Sequence, residues 1–498
     1  MPSRSIAPLH PSGNRWISIL GGLFIAAFFL CFTRHGLREY FSYDDLLNLY
    51  TYWSRPDPFV KSMLFFWEPY YRPVGGMVYR TLFWAFGLDP QPLYSLYFAL
   101  LLLNLWLAYL LLARLSGSRE TGAIAVLLWA FHGNLASLYY SAGALFDVFC
   151  FLFYSLALAI YLGTRAQDRL PGLGGTLGFL ACLIAALDSK EMAVTLPVMV
   201  LIYELLFHPP QIQLRALTRW FMREGRTALL GGLCVLIYLP ARLAPGGLAH
   251  DLEYIPSYTW SRWIEDTGTY LAYVIYHNNP AMRFGVTPLG PWGIGIFFGT
   301  LIGVALWARS RVVWFGLLFF AITMLPVSFI PPRLGFVLYL PLAGLALAVA
   351  ACLARLKEVL AGNFLQRLSP RTASIAFFLV VAAAMAGIDY HFAPPAPRAW
   401  FSPEKKTADQ IPRLYPKLPR GSTLLFVHTP LDDGWALVFL LRLYYRDTSL
   451  FITQLYGPPE QRIPLDQLPH YDHIFDFENG RYVELDHADS LRGVQPHL

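Results

Sequence analysis

The sequence predicts an all-α polytopic membrane protein with about eleven transmembrane helices, followed by a small α/β domain outside the cytoplasm. Of its 498 residues, 56% are hydrophobic and only 14% are charged, whereas soluble domains carry roughly 25% charged residues. Apolar runs of about 18 residues or more, long enough to cross a bilayer, recur along most of the chain. This composition excludes both a soluble globule and a disordered chain.

The apolar runs place the spans in order. The first, from Trp16 to about Thr33, has no small-residue cleavage site after it, and we therefore expect a retained signal anchor. Further spans are predicted near residues 92–113, 121–138, 144–163, 173–187, 192–207, 228–244, 290–308, 312–330, 335–354 and 373–391. A shorter apolar stretch, Val74 to Leu88, contains Arg80 and is predicted to lie along the membrane surface before the second span.

Basic residues concentrate in alternate loops, which predicts the orientation. Clusters of arginine and lysine occur at 114–119, 165–169, 215–226, 309–311 and 355–371, and the turns between them hold at most one. Because cytoplasmic loops carry the excess of positive charge, the N-terminus is predicted to be cytoplasmic and the C-terminus extracytoplasmic. The long external segments contain no Asn-x-Ser/Thr site, which favours the inner (cytoplasmic) membrane of a bacterium, with a periplasmic tail.

The chain after Phe392, here called the tail, has a different pattern. It opens with a stiff proline linker at 394–397, and a helix is predicted to start at Ser402. The other predicted elements are a strand at 423–429, a buried helix at 434–445, a strand at 449–455 and a hairpin at 473–485 turning at Asn479-Gly480. The predicted domains are therefore a transmembrane domain, 1–391, whose external loop 34–91 carries paired aspartates, and a small α/β domain, 392–498.

Ionisable side chains avoid the middle of most spans. Each costs about 2.5–3.5 kcal/mol in hydrocarbon, so their positions are informative. They collect at the predicted external ends, as Asp44, Asp45, Glu68, Arg72, Asp147, Asp188, Lys190, Glu191 and Arg333. This distribution predicts one site at the outer membrane surface and not a path through the bilayer.

Asp44 and Asp45 are adjacent carboxylates about ten residues past the first span. One of them can have a raised pKa, which suits a group that takes a proton from an acceptor hydroxyl. The alternative is a helix N-cap, since Asp45 precedes the apolar stretch that starts at Leu46. Position alone leaves both open, and the neighbouring charges favour catalysis. Asp44 is the predicted base because Asp45 stands closer to the helix start.

Three cations lie in separate external segments. Arg72 can be a membrane-surface arginine that snorkels, and the turn at 188–191 can be a capping box started by Ser189, although such a box needs no lysine. Arg333 stands alone in an apolar stretch after two prolines. If Arg72, Lys190 and Arg333 converge, they form a phosphate clamp. Asp147 fits an N-cap or a site residue, and both remain open.

With these residues the chain resembles the integral-membrane glycosyltransferases of the C-type fold (GT-C), which take a sugar from a polyprenyl-phosphate carrier. Within that group it resembles the transmembrane O-mannosyltransferases with tetratricopeptide tails and bacterial family-39-type glycosyltransferases. The matching elements are Tyr43-Asp44-Asp45, Tyr71-Arg72-Pro73-Val74, His132 with Asp147, Ser189-Lys190-Glu191, and Arg333 ahead of Tyr339-Leu340-Pro341. They fall within residues 35–345. The tail lacks the repeats, and Ser137 and Leu145 stand where those mannosyltransferases tend to have Glu and Arg.

The resemblance implies a hexosyltransferase-like enzyme that uses a polyprenyl-phosphate sugar, with mannose as one candidate. An aspartate of the pair 44–45 would be the catalytic base, and Arg72, Lys190 and Arg333 would hold the lipid phosphate, with Asp147 and Glu191 in the substrate site. The implied partners are the donor lipid, the membrane and a protein, lipid or glycan acceptor, but no nucleic acid. No cofactor is implied, and a divalent metal is left open.

Two other functions compete with this hypothesis. A multi-pass transporter or lipid flippase of envelope glycan assembly would show internal repeats, broken helices and ionisable groups near the bilayer midplane. The sequence shows little of these. A noncatalytic partner in an envelope-assembly complex would explain the tail but would leave the external acidic and basic residues without a role.

Overall fold

A computed structural model describes residues 15–55, 72–211, 213–243, 254–363, 369–392, 402–431, 434–455 and 471–485. Tyr71, Glu68 and the proline linker at 394–397 lie outside the described residues. Within them the chain is mostly helical and has one small sheet, which confirms the predicted class.

The helices before the tail have the following bounds. In chain order they are α1 (Arg15–Thr33), α2 (Tyr43–Trp53), α3 (Pro73–Phe86), α4 (Gln91–Ser116), α5 (Arg119–Ala130), α6 (Ala136–Tyr140), α7 (Leu145–Arg165), α8 (Leu173–Leu187), α9 (Leu196–Phe207), α10 (Leu214–Arg223), α11 (Arg226–Leu243), α12 (Trp260–Val274), α13 (Pro291–Ala308), α14 (Arg311–Met324), α15 (Tyr339–Asn363) and α16 (Pro370–Phe392). Short 3-10 turns at Ala142–Ala144, Glu191–Thr195 and Gly335–Leu338 lead into α7, α9 and α15.

Five helical stretches of the described chain are long and apolar enough to cross a membrane. They are Gln91–Ser116, Ala142–Arg165, Pro291–Ala308, Gly335–Val359 and Thr372–Phe392. A sixth span results if Arg119–Ala130 and Gly133–Tyr140, which are bent by 57° at their junction, cross together. Several other predicted spans correspond to apolar helices of 10–17 residues. A multi-span protein is therefore confirmed, whereas the predicted count of about eleven is not.

The junction between α5 and α6 is satisfied by neighbouring segments. The backbone N–H of Gly133 donates to Asp389 of α16 at 3.0 Å, and the side-chain amide of Asn134 donates to the Tyr273 carbonyl at 2.7 Å. A Cβ on Gly335 would lie 2.2 Å from the Asn134 carbonyl oxygen, so the turn after Arg333 packs directly on the junction. Such partners are what permit a helix to break at membrane depth.

The tail forms a small α/β unit, as predicted. Its elements are α17 (Ser402–Leu414), β1 (Thr423–Phe426), α18 (Gly434–Tyr445), β2 (Phe451–Gln454), β3 (His473–Glu478) and β4 (Arg481–Glu484). The strand order is β2-β1-β3-β4, with β1 parallel to both neighbours and β3 antiparallel to β4. Asn479 and Gly480 both have positive φ, 48° and 80°, which closes the tight β3–β4 turn.

Helix α18 joins the tail to the transmembrane helices. Ala436, Phe439, Leu440 and Leu443 belong to the large core of the transmembrane helices. Leu437, Val438 and Leu441 belong to the core of the tail sheet. One helix, α18, thus contributes to the core of the transmembrane helices and to the core of the tail sheet. The predicted domain boundary at residues 391–392 therefore stays a prediction.

Candidate functional site

The turn between α8 and α9 presents two charged residues side by side. The Ser189 hydroxyl donates to the Ala185 carbonyl at 2.7 Å, so it closes the end of α8 instead of capping the next helix. Lys190 then adopts an extended conformation, with φ −158° and ψ 146°, before the 3-10 turn that starts at Glu191. The extended residue separates the two side chains, and each reaches a different partner.

Two ion pairs form at this turn. Nε and Nη2 of Arg72 donate to Oε1 and Oε2 of Glu191 at 3.2 and 2.9 Å, a bidentate arrangement. Nζ of Lys190 lies 2.6 Å from Oδ2 of Asp147, which is buried in the first turn of α7. Burial alone would raise the pKa of Glu191, but the Arg72 guanidinium holds it at about 2. Glu191 is therefore a carboxylate at neutral pH.

Arg333 joins this group through an aromatic ring. Its Cζ lies 4.2 Å from the ring centroid of Tyr254, and Cζ of Arg72 lies 5.7 Å from the same centroid. Lys190 lies over the ring of Phe336, with Nζ 5.2 Å from the centroid. The structure thus brings five predicted site residues together, which we call the charged cluster: Arg72, Asp147, Lys190, Glu191 and Arg333.

Arg242 was not among the predicted site residues, although it belongs to this region. It is buried near the end of α11, and its Cζ lies 4.8 Å from the Tyr238 ring centroid. Its charge helps to lower the pKa of Glu191 and opposes the burial that raises the pKa of Asp188 to about 7. The sequence feature that could have identified Arg242 is its position near the end of a predicted span, a feature it shares with Arg333. For Tyr254 the sequence offers no signal.

Asp45 is a structural carboxylate in the described fold. It is fully buried, and its Oδ2 accepts from the backbone N–H and hydroxyl of Ser42 at 2.9 and 2.8 Å in a reciprocal capping box at the start of α2. The hydroxyls of Tyr79 and Tyr94 donate to its two oxygens at 3.0 and 3.4 Å. Burial raises the pKa of Asp45 to about 6, although these hydrogen bonds act in the opposite direction. The N-cap residue is Ser42, and Asp45 is the third residue of α2, so Asp45 takes part in the capping box without being the N-cap. The expectation that Asp45 stands closer to the helix start than Asp44 is wrong, because α2 begins at Tyr43.

Asp44, by contrast, is exposed. It lies against Gly143, where an added Cβ would meet the Asp44 Cβ at 2.6 Å and Oδ2 at 3.3 Å. Gly143 lies in the 3-10 turn before α7, about one helical turn before Asp147 of the charged cluster. The ring of Phe146, also in α7, lies 5.4 Å from Cζ of Arg72. The exposed carboxylate of Asp44 therefore lies against the turn before α7, the helix whose first turn carries Asp147 of the charged cluster.

Helix α2 also connects Asp44 to Arg72. The hydroxyl of Tyr52 accepts from the backbone N–H of Arg72 at 3.4 Å and donates to its carbonyl at 3.3 Å. A Cβ on Gly76 would lie 2.3 Å from the Tyr52 ring, so only glycine permits this approach of α3. The two helices thereby fix the position of Arg72 relative to the paired aspartates.

His132 contacts residues that do not belong to the charged cluster. Its Nε2 lies 3.0 Å from the Val274 carbonyl, and its ring stacks on Tyr276 with centroids 4.4 Å apart. Within the part of the chain that the structure describes, no group of three or more His, Cys, Asp or Glu side chains is arranged to hold a metal ion. The question of a divalent metal therefore stays as the sequence left it.

Comparison with known proteins gives matches among solved structures. No protein-family model and no curated protein matches the sequence. The chain is similar to ArnT from Cupriavidus metallidurans bound to undecaprenyl phosphate, with 14% identity, 97% of this chain and 100% of that chain covered, and a TM-score of 0.46. The apo state of ArnT gives 14% identity, coverage of 86% and 89%, and a TM-score of 0.39.

These values are too low for the similarity to support a function, so the proposal below depends on the residues of the site. The resemblance to O-mannosyltransferases and family-39-type enzymes is not confirmed by these comparisons.

Proposed function

We propose that the protein is a membrane glycosyltransferase that moves a sugar from a polyprenyl-phosphate-linked donor to an acceptor at the extracytoplasmic face. The carrying observation is the charged cluster at the ends of apolar helices, with the exposed Asp44 packed against Gly143, four residues before Asp147 of that cluster. In this proposal the protein is a multi-pass protein of the cell inner membrane with a cytoplasmic N-terminus. An amphiphilic carrier requires a site at such a boundary, since its chain stays in lipid while its phosphate meets polar groups.

The cations of the charged cluster fit the leaving phosphate. Glu191 and Asp147 act as internal anions that hold Arg72 and Lys190 in place. Arg72 uses two of its five N–H groups for Glu191, and Lys190 has two further N–H groups besides the one directed at Asp147. A phosphate can therefore be bound without breaking either ion pair, and charge-assisted contacts of this kind are the strong ones.

Asp44 is the proposed base. The acceptor hydroxyl attacks the anomeric carbon of the donor sugar with inversion, the bond from that carbon to the phosphate oxygen breaks, and the hydroxyl proton passes to Asp44. The released polyprenyl phosphate carries the negative charge that the charged cluster stabilises. A positioned base contributes typically about 10²–10⁴-fold to the rate. Asp45 supports the start of α2 and takes no part in proton transfer.

Donor binding is the direct test of the charged cluster. The probe is undecaprenyl phosphate, titrated against the full-length protein in nanodiscs of neutral lipid. We expect saturable binding that weakens by about 10-fold or more in Arg333→Ala, because one charge-assisted contact is worth about 1.5–3 kcal/mol. The control is Arg283→Ala, since Arg283 is exposed and also lies over a ring, 5.3 Å from the Phe284 centroid. Equal binding by both variants and the wild type would contradict the proposal.

One observation favours the alternative of a transporter or lipid flippase. The 57° bend between Arg119–Ala130 and Gly133–Tyr140 is a broken helix pair of the sort that transporters use. A vesicle assay with a fluorescent polyprenyl-phosphate-linked sugar separates the two functions. The glycosyltransferase proposal predicts sugar transfer without movement of the lipid between leaflets, and movement without transfer would favour the alternative.

A further inference from the structure

Helix α10 carries two parallel rows of side chains on its exposed surface. Leu214, Thr218 and Met222 follow one another at four-residue spacing, and Leu214 and Met222 are 81% and 68% exposed. A basic row repeats this spacing one residue later along the chain. Its members, all exposed and here called the arginine row, are Arg215, Arg219 and Arg223. Because residues four apart lie on one face of an α-helix, an apolar strip and a basic strip run side by side along α10.

The opposite face of α10 holds the helix against the protein. Trp220 is buried, and its Nε1 donates to the backbone carbonyl of His208 at 2.9 Å. Trp220 follows Thr218 by two residues, a rotation of about 200° around the helix. The apolar strip therefore points away from the protein. Helix α10 thus borders the protein on one side and presents two chemically different strips on the others.

Helix α10 also lies level with the end of a candidate membrane span. Ala142–Arg165 is long and apolar enough to cross a bilayer, and Arg165 at its end donates to both carboxylate oxygens of Glu204 at 2.8 Å. The hydroxyl of Tyr161, one turn earlier, donates to Glu204 at 2.7 Å and to the backbone carbonyl of Glu224 at 3.5 Å. Glu224 directly follows α10. These contacts place the C-terminal end of α10 at the boundary of the bilayer.

This boundary is opposite to the charged cluster. Asp147 and Arg165 lie at the two ends of α7, about 27 Å apart along the helix at 1.5 Å per residue. The hydrocarbon core of a bilayer is about 30 Å thick. Helix α10 and the charged cluster therefore belong to different leaflets. In the predicted orientation the leaflet at α10 is the cytoplasmic one.

The next helix continues the apolar surface. Helix α11 begins three residues after the end of α10 and exposes Leu229, Leu233 and Leu236, the last two at 54% and 66%. Their spacing puts these leucines on one face, which is the pattern of a helix side in contact with lipid. Helix α10 itself has ten residues and is about 15 Å long, half of what a span requires. It therefore lies along the membrane surface, beside lipid-facing leucines.

We propose that α10 is an in-plane membrane helix that binds the anionic headgroups of phospholipids in the leaflet opposite to the charged cluster. Its apolar strip enters the boundary between headgroups and acyl chains, as amphipathic helices on membrane surfaces do. The arginine row contacts the lipid phosphates from the polar side, where each guanidinium can bind two oxygens at once. This inference does not depend on the donor, the acceptor or the reaction of the proposed function.

The charges around the arginine row favour an anionic lipid over other partners. Helix α10 contains three arginines and no acidic residue. Within the described part of the chain, the acidic side chain paired with the row is Glu224, whose Oε1 lies 3.8 Å from Nε of Arg223. Such an exposed pair contributes little, so it competes weakly with a phosphate. An acidic soluble protein would match the arginine row but not the adjoining Leu214 and Met222, whereas a lipid surface matches both.

Lipid selectivity tests the inference. The full-length protein in neutral detergent micelles is titrated with phosphatidylglycerol or with phosphatidylcholine, and native mass spectrometry counts the lipids retained. We expect preferential binding of phosphatidylglycerol, reduced by about tenfold or more in the triple variant Arg215→Gln, Arg219→Gln, Arg223→Gln, because each arginine near an anionic lipid adds to the attraction. Lysine at the same three positions should retain most of the preference, since the charge is kept.

The matched control removes the same charge from other basic loops on the same predicted side. It is the triple variant Arg309→Gln, Arg311→Gln, Arg355→Gln, at three exposed positions. This control should keep the preference for phosphatidylglycerol, and so should Arg333→Ala, because Arg333 lies in the opposite leaflet. All variants should unfold at the wild-type temperature in micelles without added lipid, since exposed substitutions of this kind change stability little.

Three outcomes would overturn the inference. The first is equal binding of the two phospholipids by the wild-type protein. The second is an equal loss in the two triple variants, or a loss in Arg333→Ala instead, because either result places the anionic lipid elsewhere. The third is stronger binding of an acidic peptide than of phosphatidylglycerol by the arginine row. Each result leaves the binding of undecaprenyl phosphate at the charged cluster to be judged separately.

Discussion

Arg72 and Glu191, which are 119 residues apart in the chain, form a bidentate ion pair with N–O distances of 3.2 and 2.9 Å. Arg72 precedes the first residue of α3, and Glu191 begins the turn before α9. The adjacent Lys190–Asp147 pair fastens the same turn to α7. These two pairs hold three separate segments of the chain around one small volume.

The Arg72–Glu191 pair should contribute measurably to stability. In a double-mutant cycle, Arg72→Ala and Glu191→Ala should each destabilise the protein by about 1–3 kcal/mol, because either change leaves a partly buried charge without its partner. The coupling energy between the two residues should be favourable to the folded state. The measurement is denaturant unfolding in detergent micelles. The control is the exposed pair Arg355 and Glu358, at 3.0 Å, for which the coupling should be under about 1 kcal/mol. Equal coupling in the two pairs would contradict this prediction.

The two adjacent aspartates should behave differently. Asp44→Asn should lower turnover by about 10²–10⁴-fold with unchanged binding of undecaprenyl phosphate, because it removes the proton acceptor. Asp45→Asn should mainly lower stability, since the Asp45 carboxylate completes the capping box with Ser42 at the start of α2. The control is Asp168→Asn, at an exposed position with φ 51° that asparagine tolerates well. Sugar transfer at the wild-type rate by both Asp44→Asn and Asp45→Asn would contradict the proposed glycosyltransferase activity.

Gly143 should be essential for the position of Asp44. Because an alanine Cβ would lie 2.6 Å from the Asp44 Cβ, Gly143→Ala should displace Asp44 and reduce turnover by about 10-fold or more, while donor binding persists. Gly232→Ala is the matched control, since its Cβ would meet no atom within 4 Å. A full transfer rate in Gly143→Ala would show that Asp44 does not need this position.

The buried Asp45 should give the protein a specific pH dependence. Its pKa in the folded protein is about 6, above its ordinary value of 3.8, because of burial. The folded state therefore binds more protons between these values, and stability should fall as the pH rises from about 4 to about 6. Asp45→Asn should remove this component, as measured by unfolding across that range. An identical pH profile in the variant would contradict the assignment.

The predicted topology can be tested in cells. Because basic loops alternate along the chain, a periplasm-active reporter fused after Leu498 should be active, and a reporter that requires the cytoplasm should be silent. A second fusion, in the basic segment 215–226, should give the opposite pattern. The reverse result in both fusions would place the charged cluster on the cytoplasmic side.

Much of the fold was predictable because its causes are local. Apolar runs act over a few residues, and Asn479-Gly480 specifies a turn by itself. The number of spans was harder to predict, since a run of apolar residues such as 173–187 fits a full span or a shorter buried helix. That choice depends on packing between helices, which hydropathy does not contain.

The candidate site was predictable in composition but not in pairing. Charged residues at the ends of apolar runs are costly, so Arg72, Lys190 and Arg333 could be singled out. Which carboxylate each cation meets depends on contacts across 43 residues for Lys190–Asp147 and 119 residues for Arg72–Glu191. The sequence does not single out Tyr254 as a site residue, because a tyrosine in a polar loop has no distinguishing pattern.

The position of α18 between two hydrophobic cores has a consequence for how the chain denatures. Loss of the tail would expose the rings of Tyr43 and Tyr50 together with the apolar face of α18. Cooperative units follow shared buried contacts and not the boundaries drawn along a sequence. The tail and the start of α2 therefore belong to one melting unit, and a truncation at the proline linker removes part of the membrane region's own interior.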